Sequence, residues 1–422
     1  MKFKMIQKAI TKNKLLTFSV LFFISLTYIL FALNISKNIF SNSFFPYYTY
    51  LINALSHGHL DIISPTTIDL SIFRDKLYLN WGPGPILFIL PFYLLSGGSV
   101  GDIFYTLFAG IGNIFLFYLI IEEFKRYFKL NFSKFAKFFI ILTFAFCSPN
   151  FYLSLGGRIW ATEQIISVFY ILVFLLFYLK YLSSALLKTR FLFMSVLFFS
   201  LAWFSRATMV FYGLLFLYVI SLLLKNQNKK LLKNAIFIII SITVIFGSVF
   251  LTYNYLRFNN PLETGLTYHN GNPRYVQDLL EKKIFSFSYI PFNIEHYFLE
   301  PAFISFEKPY AKINLEGNSV FSVYPVFLLF LFLFQKKYWQ DKKINKFLYF
   351  SFLVIIMDIA LLMMYFATGW TQVGSRYVFD IIPLVSLASL LVVKDFPKPL
   401  LFLLFLNAAL INIFGAFIFY SF

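Results

Sequence analysis

The first long polar interval of the chain, residues 51–95, holds the side chains best suited to chemistry. It contains the acids Asp61, Asp69 and Asp75 and ends in a Gly-Pro-Gly-Pro turn at 82–85. A carboxylate can act as a general base that takes the proton of an attacking hydroxyl. Because connections between helices are usually short, an interval of this length favours a functional role over a simple link.

Asp69 is the first candidate for this base, because it lies shortly before Tyr78, Trp81 and the Gly-Pro turn. Asp61 is the second candidate. Either residue could instead be a solvated loop acid or a helix cap. Asp75 has a basic residue on each side, which is typical of a surface charge.

Four arginines, each at the end of an apolar segment, could bind a phosphate group: Arg158, Arg206, Arg257 and Arg376. The planar guanidinium can bond a phosphate through two N–H groups at once. A charge at the end of a membrane span can also simply reach the interface. Arg376 is the strongest candidate, because Tyr377 adjoins it and Asp380 follows one turn later.

Metal binding is weakly indicated. His57 and His59 together with Asp61 could hold a divalent ion, but an HxH pair alone is a weak signal and no further ligand cluster stands out. A divalent metal ion stays open, and no metal-binding residue is assigned. Asp358, in the middle of an apolar segment, could be hydrogen-bonded within the protein or part of a proton path.

The elements that position these side chains are membrane spans. The 422-residue chain is 60% hydrophobic and 13% charged, whereas about 25% of residues are charged in soluble domains. Apolar runs of about 18 residues or more indicate transmembrane helices. The pattern predicts an all-α polytopic membrane protein with about eleven spans, near 15–33, 102–121, 138–155, 164–181, 191–205, 207–224, 235–253, 318–335, 347–366, 378–393 and 399–420.

The net charge of +18 comes from basic clusters before the first span and in alternate loops. This placement follows the positive-inside rule, so it indicates topology, and no nucleic-acid partner is expected. It predicts a cytoplasmic N-terminus in the inner (plasma) membrane. Most acidic residues then fall on the extracytoplasmic side, where we expect the active site.

The whole chain, 1–422, is expected to form one integral membrane domain. Its first extracytoplasmic loop covers 34–101, its second covers 254–317, and a short third polar interval lies at 368–380. The apolar segment 85–95 would reach only about half of the 30 Å bilayer core as a helix. It is therefore expected to be a re-entrant or interfacial helix.

Three stretches together resemble polytopic glycosyltransferases of the GT-C type, which include dolichyl-phosphate-mannose protein mannosyltransferases and aminoarabinose transferases. They are GHLD (58–61) with Asp69 and KLYLNWGPGP (76–85), YNYLRFNNPLETG (253–265), and the segment 369–380. The resemblance implies a catalytic acid in the first loop and a membrane-hugging helix after it. The usual first loop carries two adjacent acids, whereas Asp61 and Asp69 stand eight positions apart. The base could therefore be either one.

The resemblance implies transfer of a sugar from a polyprenyl-phosphate donor to a hydroxyl of an extracytoplasmic glycan, lipid or protein in the cell envelope. We expect five further residues to contact the substrates: Tyr78, Trp81, Glu263, Trp370 and Asp380. A transporter or flippase of lipid-linked sugars is an alternative, although transporters favour internal repeats and charges at mid-membrane. An oligosaccharide polymerase or ligase is another, and it would concentrate Arg and His in the second loop.

Overall fold

The structure is a computed structural model that describes residues 2–369 and 371–421, with side chains from residue 15 onward. Trp370, predicted to contact substrate, lies outside the described residues. The α-helices are, in chain order, α1 (Lys2–Ser36), α2 (Tyr47–Ser56), α3 (Pro85–Leu95), α4 (Asp102–Phe128), α5 (Lys134–Phe146), α6 (Pro149–Leu153), α7 (Ile159–Ser183), α8 (Thr189–Ser205), α9 (Leu215–Lys225), α10 (Lys229–Phe258), α11 (Pro273–Lys282), α12 (Ile290–Ile294), α13 (Val320–Val323), α14 (Val326–Leu331), α15 (Lys342–Met363), α16 (Ile382–Ser389) and α17 (Lys398–Tyr420).

Short strands and 3₁₀ turns complete the fold. The strands are β1 (Leu70–Phe73), β2 (Lys76–Tyr78), β3 (His269–Asn270), β4 (Phe303–Ile304) and β5 (Ala311–Lys312). Two 3₁₀ segments matter for the site, Ala207–Leu214 before α9 and Arg376–Asp380 before α16. Helices make up most of the structure, and the strands are two to four residues long and confined to the polar intervals. The prediction of a predominantly helical, polytopic fold is therefore confirmed.

Within the described residues, seven helices are long and apolar enough to cross a membrane. They are Leu15–Ser36, Asp102–Phe128, Ile159–Ser183, Ala207–Lys225, Lys229–Phe258, Lys342–Met363 and Lys398–Tyr420. The protein is therefore a multi-pass membrane protein. The exact number of spans, expected at about eleven, stays a prediction.

Four of the expected spans form shorter or interrupted helices. The segment 191–205 is the 17-residue α8, and 138–155, 318–335 and 378–393 are each divided into short helices. Pro149, Pro325 and Pro383 stand at the start of α6, α14 and α16 respectively. Proline lacks the amide hydrogen that continues a helix but fits in the first turn of one. A new helix therefore begins at each of these prolines.

Helix α7 is the centre of the bundle. It packs against α4 and α8, and 83% of the residues in its most apolar 18-residue stretch are buried within the protein. Its first turns carry Trp160 and Glu163. A helix enclosed by its neighbours in this way can hold polar side chains at one end without exposing them to lipid.

The first and second polar intervals are joined by a three-stranded antiparallel sheet in the order β2–β1–β3. Ser71 of β1 pairs with Tyr78 of β2 on one side and with His269 of β3 on the other. Helix α10 runs on to Phe258, so residues 254–258, predicted to lie in the second loop, belong to the helix. The sheet therefore fixes two loops that are distant in sequence.

The Gly-Pro-Gly-Pro turn packs directly on the C-terminal end of α8. A Cβ atom added to Gly82 would lie 2.3 Å from the carbonyl oxygen of Ser205, and one added to Gly84 would lie 2.1 Å from its Oγ. Any side chain at these two positions would push the turn away from α8. Glycine is therefore required for the first loop to approach Arg206, which follows α8.

Candidate active site

A cavity of about 850 Å³ lies where the polar intervals meet the ends of α7, α8 and α10. Its polar wall includes Asp69, Trp81 and four arginines, which are Arg158, Arg206, Arg257 and Arg376. Another part of the wall is apolar and comes mainly from α8, α10 and α15, with Trp203, Phe204, Phe250, Leu361 and Leu362. A space of this size with a few convergent polar groups is typical of a ligand site.

Four further predicted site residues that the structure describes, Asp61, Tyr78, Glu263 and Asp380, are not part of the cavity lining. Asp61 forms an ion pair with Lys76 at 3.1 Å, and it is not among the described residues that line the cavity. Tyr78 packs its ring on Phe258.

Glu263 also lies outside the cavity lining and stabilises its own loop, because it accepts hydrogen bonds from the Gly265 amide and the Thr267 hydroxyl, both at 2.6 Å. Asp380 is buried behind the cavity wall. These contacts indicate supporting roles for Glu263 and Asp380 in the loop and the wall.

Asp69 lies immediately before β1, the central strand of the three-stranded sheet. Its φ angle of 59° is in the left-handed region, which Asp tolerates better than most residues. Its amide donates to the carbonyl oxygen of Asn270 at 2.6 Å. Burial raises the pKa of the Asp69 carboxyl to about 6, although the Arg376 guanidinium opposes the shift. Asp69 is thus ionised at neutral pH but holds a proton more readily than an ordinary carboxylate.

His269 lies beside Asp69, with its Nε2 atom 3.7 Å from the Asp69 Oδ1 atom. The second ring nitrogen, Nδ1, is 2.8 Å from the side-chain amide nitrogen of Asn80. Burial lowers the pKa of His269 to about 4, so the ring is neutral at pH 7. Neither His269 nor Asn80 was assigned a role from sequence, because only the strand register brings them to the first-loop acid.

Arg206 is compensated by two carboxylates. Its Nε atom is 2.7 Å from the Asp380 Oδ2 atom, and its Nη1 atom is 3.0 Å from the Glu163 Oε2 atom. Thr208 also donates to Asp380. This network joins α7, the end of α8 and the segment Arg376–Asp380, so the charge of Arg206 is already neutralised within the protein.

Arg376 has a different environment. The residue is 6% exposed, and its guanidinium lies over the rings of Trp160 and Tyr377 at 5.8 and 5.4 Å from their centroids. No other described residue supplies a hydrogen-bond partner for its Nε and Nη1 atoms. Buried N–H groups of this kind are costly unless they are satisfied. Arg376 is therefore the most suitable anion-binding group in the cavity wall.

Arg257 and Arg158 differ from both Arg206 and Arg376, because each has hydrogen-bond partners for its guanidinium but no carboxylate partner among the described residues. Arg257 donates to the carbonyl oxygen of Leu79 and, at 2.8 Å, to the Asn254 side chain, so it links α10 to the first loop. Arg158 donates to the carbonyl oxygen of Phe419 at 3.4 Å and contacts aromatic rings. Neither forms an ion pair with a described carboxylate.

No protein-family model and no curated protein matches this sequence. Solved membrane proteins share its architecture. ArnT from Cupriavidus metallidurans bound to undecaprenyl phosphate is 11% identical at a TM-score of 0.50, over 92% of this chain and 61% of ArnT. The oligosaccharyltransferase AglB from Archaeoglobus fulgidus, in complex with an inhibitory peptide and a dolichol-phosphate, is 14% identical at a TM-score of 0.52, over 97% of this chain and 56% of AglB.

ArnT and AglB are both GT-C glycosyltransferases. The chain has a GT-C-like fold. The fold that the first-loop and Gly-Pro motifs suggested is thereby confirmed, although the chain spans only about 61% and 56% of the two solved chains. In this GT-C-like chain the first-loop acid that faces the cavity is Asp69.

A divalent metal ion at this cavity stays a prediction. The described residues contain no group of three His, Cys, Asp or Glu side chains placed to hold one. His57 and His59 are exposed, and the Nδ1 atom of His57 is 2.8 Å from the carbonyl oxygen of Asn53. Asp69 and His269 alone are too few ligands for a protein-held site.

Proposed function

We propose that this protein is a membrane glycosyltransferase that moves a sugar from a polyprenyl-phosphate donor to an acceptor hydroxyl. One observation carries the proposal. The Asp69 carboxylate lines the same cavity as the buried Arg376 guanidinium, whose Nε and Nη1 atoms have no hydrogen-bond partner among the described residues. A proton acceptor and an anion-binding group in one pocket are what this transfer requires.

In the proposed reaction the acceptor hydroxyl oxygen attacks the anomeric carbon of the sugar. The hydroxyl proton passes to the Asp69 carboxylate as the new bond forms. The bond between the anomeric carbon and the phosphate oxygen breaks, and its electron pair stays on the phosphate. Arg376 stabilises that charge, and Arg158, which lies in the same wall and contacts Trp160 as Arg376 does, is the second candidate for this role.

The apolar part of the cavity supports a lipid-linked donor. Trp203 and Phe204 of α8, Phe250 of α10 and Leu361 of α15 form a wall beside the polar groups. These side chains suit the first isoprene units of a polyprenyl chain, while the phosphate meets the arginines. Membrane lipid surrounds the rest of the carrier.

The charge distribution supports an extracytoplasmic site. Basic clusters at 2–14, 122–137, 225–234 and 336–346 alternate with the polar intervals that build the cavity. The positive-inside rule then assigns the cavity to the outer face of the plasma membrane and the N-terminus to the cytoplasm. The acceptor is accordingly an extracytoplasmic glycan, lipid or protein.

The proposal is tested by incubating the purified protein in liposomes with a panel of polyprenyl-phosphate sugars and candidate acceptors. We expect at least one donor to yield a glycosylated acceptor together with free polyprenyl phosphate. If a sugar donor instead moved intact between leaflets with no release of polyprenyl phosphate, the protein would be a flippase. Elongation of a lipid-linked oligosaccharide would indicate a polymerase.

A further inference from the structure

His269 is held beside Asp69 by rigid structure. It opens β3, whose backbone pairs with β1 directly after Asp69, and the Asp69 amide donates to the residue that follows His269. The hydroxyl of Ser71 donates to the carbonyl oxygen of Gly265 at 2.7 Å. The His269 side chain is 10% exposed and the Asp69 side chain 25% exposed. The two side chains therefore occupy a fixed corner of the cavity, still open to a substrate.

The orientation of the Asn80 side chain favours one tautomer of His269. The Asn80 amide nitrogen, 2.8 Å from Nδ1, can only donate a hydrogen bond. Nδ1 must then be the acceptor, and the hydrogen of the neutral ring is on Nε2. It is Nε2 that lies 3.7 Å from the Asp69 Oδ1 atom.

The space between the two side chains is kept open by Gly271. A Cβ atom at this position would lie 2.4 Å from the His269 Nε2 atom and 3.1 Å from the Asp69 Oδ1 atom. A separation of 3.7 Å is longer than a hydrogen bond, and catalytic hydrogen bonds often shorten only when substrate is bound. The missing side chain leaves room for that movement.

We propose that His269 is a positioning residue for the general base. In the substrate complex its Nε2–H donates to the Oδ1 atom of Asp69, which orients the carboxylate so that Oδ2 receives the proton of the acceptor hydroxyl. Asn80 acts one step further out by holding the Nε2–H tautomer. The inference rests on the proposed function, and it gives roles to His269 and Asn80, to which the sequence pattern assigned none.

A donor to the carboxylate stabilises its ionised form and so lowers its pKa. The other groups that face Asp69 are Arg376, which also favours the ionised form, and the Tyr47 hydroxyl, which donates to the carbonyl oxygen of Ile68. Burial raises the pKa of Asp69 to about 6 without the His269 hydrogen bond, so in the wild type transfer should fall only below about pH 6, where Asp69 becomes protonated. Loss of the His269 donor should raise the pKa of Asp69 and move this acid limb to higher pH.

The kinetic test compares the pH–rate profiles of His269→Ala, His269→Gln and Asn80→Asp. A hydrogen bond to a charged group predicts at least a tenfold loss of kcat in His269→Ala and an upward shift of the acid limb by about one pH unit. His269→Gln keeps an N–H donor and should recover part of the loss. Asn80→Asp replaces the donor by an acceptor, favours the Nδ1–H tautomer and should resemble His269→Ala. The matched control is His59→Gln, an exposed histidine of the first loop, which should keep the wild-type profile.

A second measurement does not depend on transfer. The chain has four histidines, so ¹⁵N-histidine NMR can assign His269 by the signal missing in His269→Gln. We expect the Nε2–H tautomer at neutral pH and a change in the Nε2 signal between pH 5 and 7 that disappears in Asp69→Asn. An Nδ1–H tautomer, or the same change in Asp69→Asn, would overturn the inference.

The two proposals fail in different ways. If Asp69→Asn is inactive while His269→Ala keeps both its rate and its acid limb, the glycosyltransferase stands and the positioning role is wrong. If no donor supports transfer, the proposed function is wrong, and the NMR signals still decide whether His269 interacts with Asp69.

Discussion

At the scale of single residues, the arginines around the cavity differ in whether a carboxylate compensates their charge. Arg206 already has two carboxylate partners, whereas Arg376 is buried with unsatisfied N–H groups among the described residues. A phosphate at Arg206 would compete with Glu163 and Asp380, but a phosphate at Arg376 would satisfy groups that are otherwise costly. The free energy of binding a phosphate is therefore more favourable at Arg376 than at Arg206.

We accordingly expect Arg376→Ala to lower transfer by about 100-fold, the usual loss when one group that stabilises developing charge is removed. The matched control is Lys337→Ala, which removes a cation that is 51% exposed and paired with Asp395. Initial rates at saturating acceptor, with the donor varied, measure the effect. Equal rates in the two variants would contradict a phosphate role for Arg376.

Sequence alone ranked the key residues but could not assemble the site. Asp69 and Arg376 stood out by their neighbours, and both line the cavity. Asp61 stayed the second candidate from sequence, because its ion pair with Lys76 depends on the β1–β2 hairpin and cannot be read from the residue order. His269 had no local signal, since only pairing between strands almost 200 residues apart brings it to Asp69.

At the scale of elements, the Arg206 network connects α7, α8 and the segment Arg376–Asp380. Removing one partner of a buried ion pair leaves a charge without compensation and costs about 3–5 kcal/mol. We expect Arg206→Ala to lower the free energy of unfolding by this amount, because Glu163 and Asp380 are 4% and 1% exposed. Thermal unfolding in detergent measures the loss.

A second arginine–glutamate pair provides the comparison for Arg206→Ala. Arg274 is 45% exposed at its side chain and lies 3.0 Å from Glu316, and exposed pairs contribute about 0–1 kcal/mol. Arg274→Ala should therefore change the melting temperature little. Similar shifts in the two variants would mean that the buried network does not hold these elements together.

Elements were predicted well where the apolar pattern was continuous. Long helices such as α4, α7, α10 and α17 follow uninterrupted apolar runs, so hydropathy placed them closely. Helix breaks were harder to predict in three segments, 138–155, 318–335 and 378–393. Each is apolar throughout, but an internal proline divides its helix. Hydropathy averages over a window and does not detect such a division.

At the scale of the whole molecule, α10 connects a basic loop to the cavity. Its 30 residues extend about 45 Å, which exceeds the bilayer core of about 30 Å. Gln227, just before α10, and the loop after Asn259 therefore lie on opposite sides of the membrane. Ile63 is 94% exposed in the first loop, which the sheet joins to the loop after α10.

Cysteine labelling tests this arrangement, because the single native Cys147 is buried. In intact cells a membrane-impermeant maleimide should label Ile63→Cys and leave Gln227→Cys unlabelled until the membrane is opened. The unsubstituted protein is the control and should remain unlabelled. Labelling of Gln227→Cys in intact cells would place the basic loops outside and reverse the proposed orientation.

The most direct test of the proposed function is the initial rate of sugar transfer from a polyprenyl-phosphate donor by Asp69→Asn. Loss of the general base predicts a fall of at least 100-fold, while membrane insertion and melting temperature are retained, because the amide removes a charge that burial disfavours. Asp75→Asn, at an exposed turn position with a φ angle of 60° that Asn also adopts, should keep the wild-type rate. Full transfer by Asp69→Asn would contradict the central claim, most clearly if Asp61→Asn were the inactive variant.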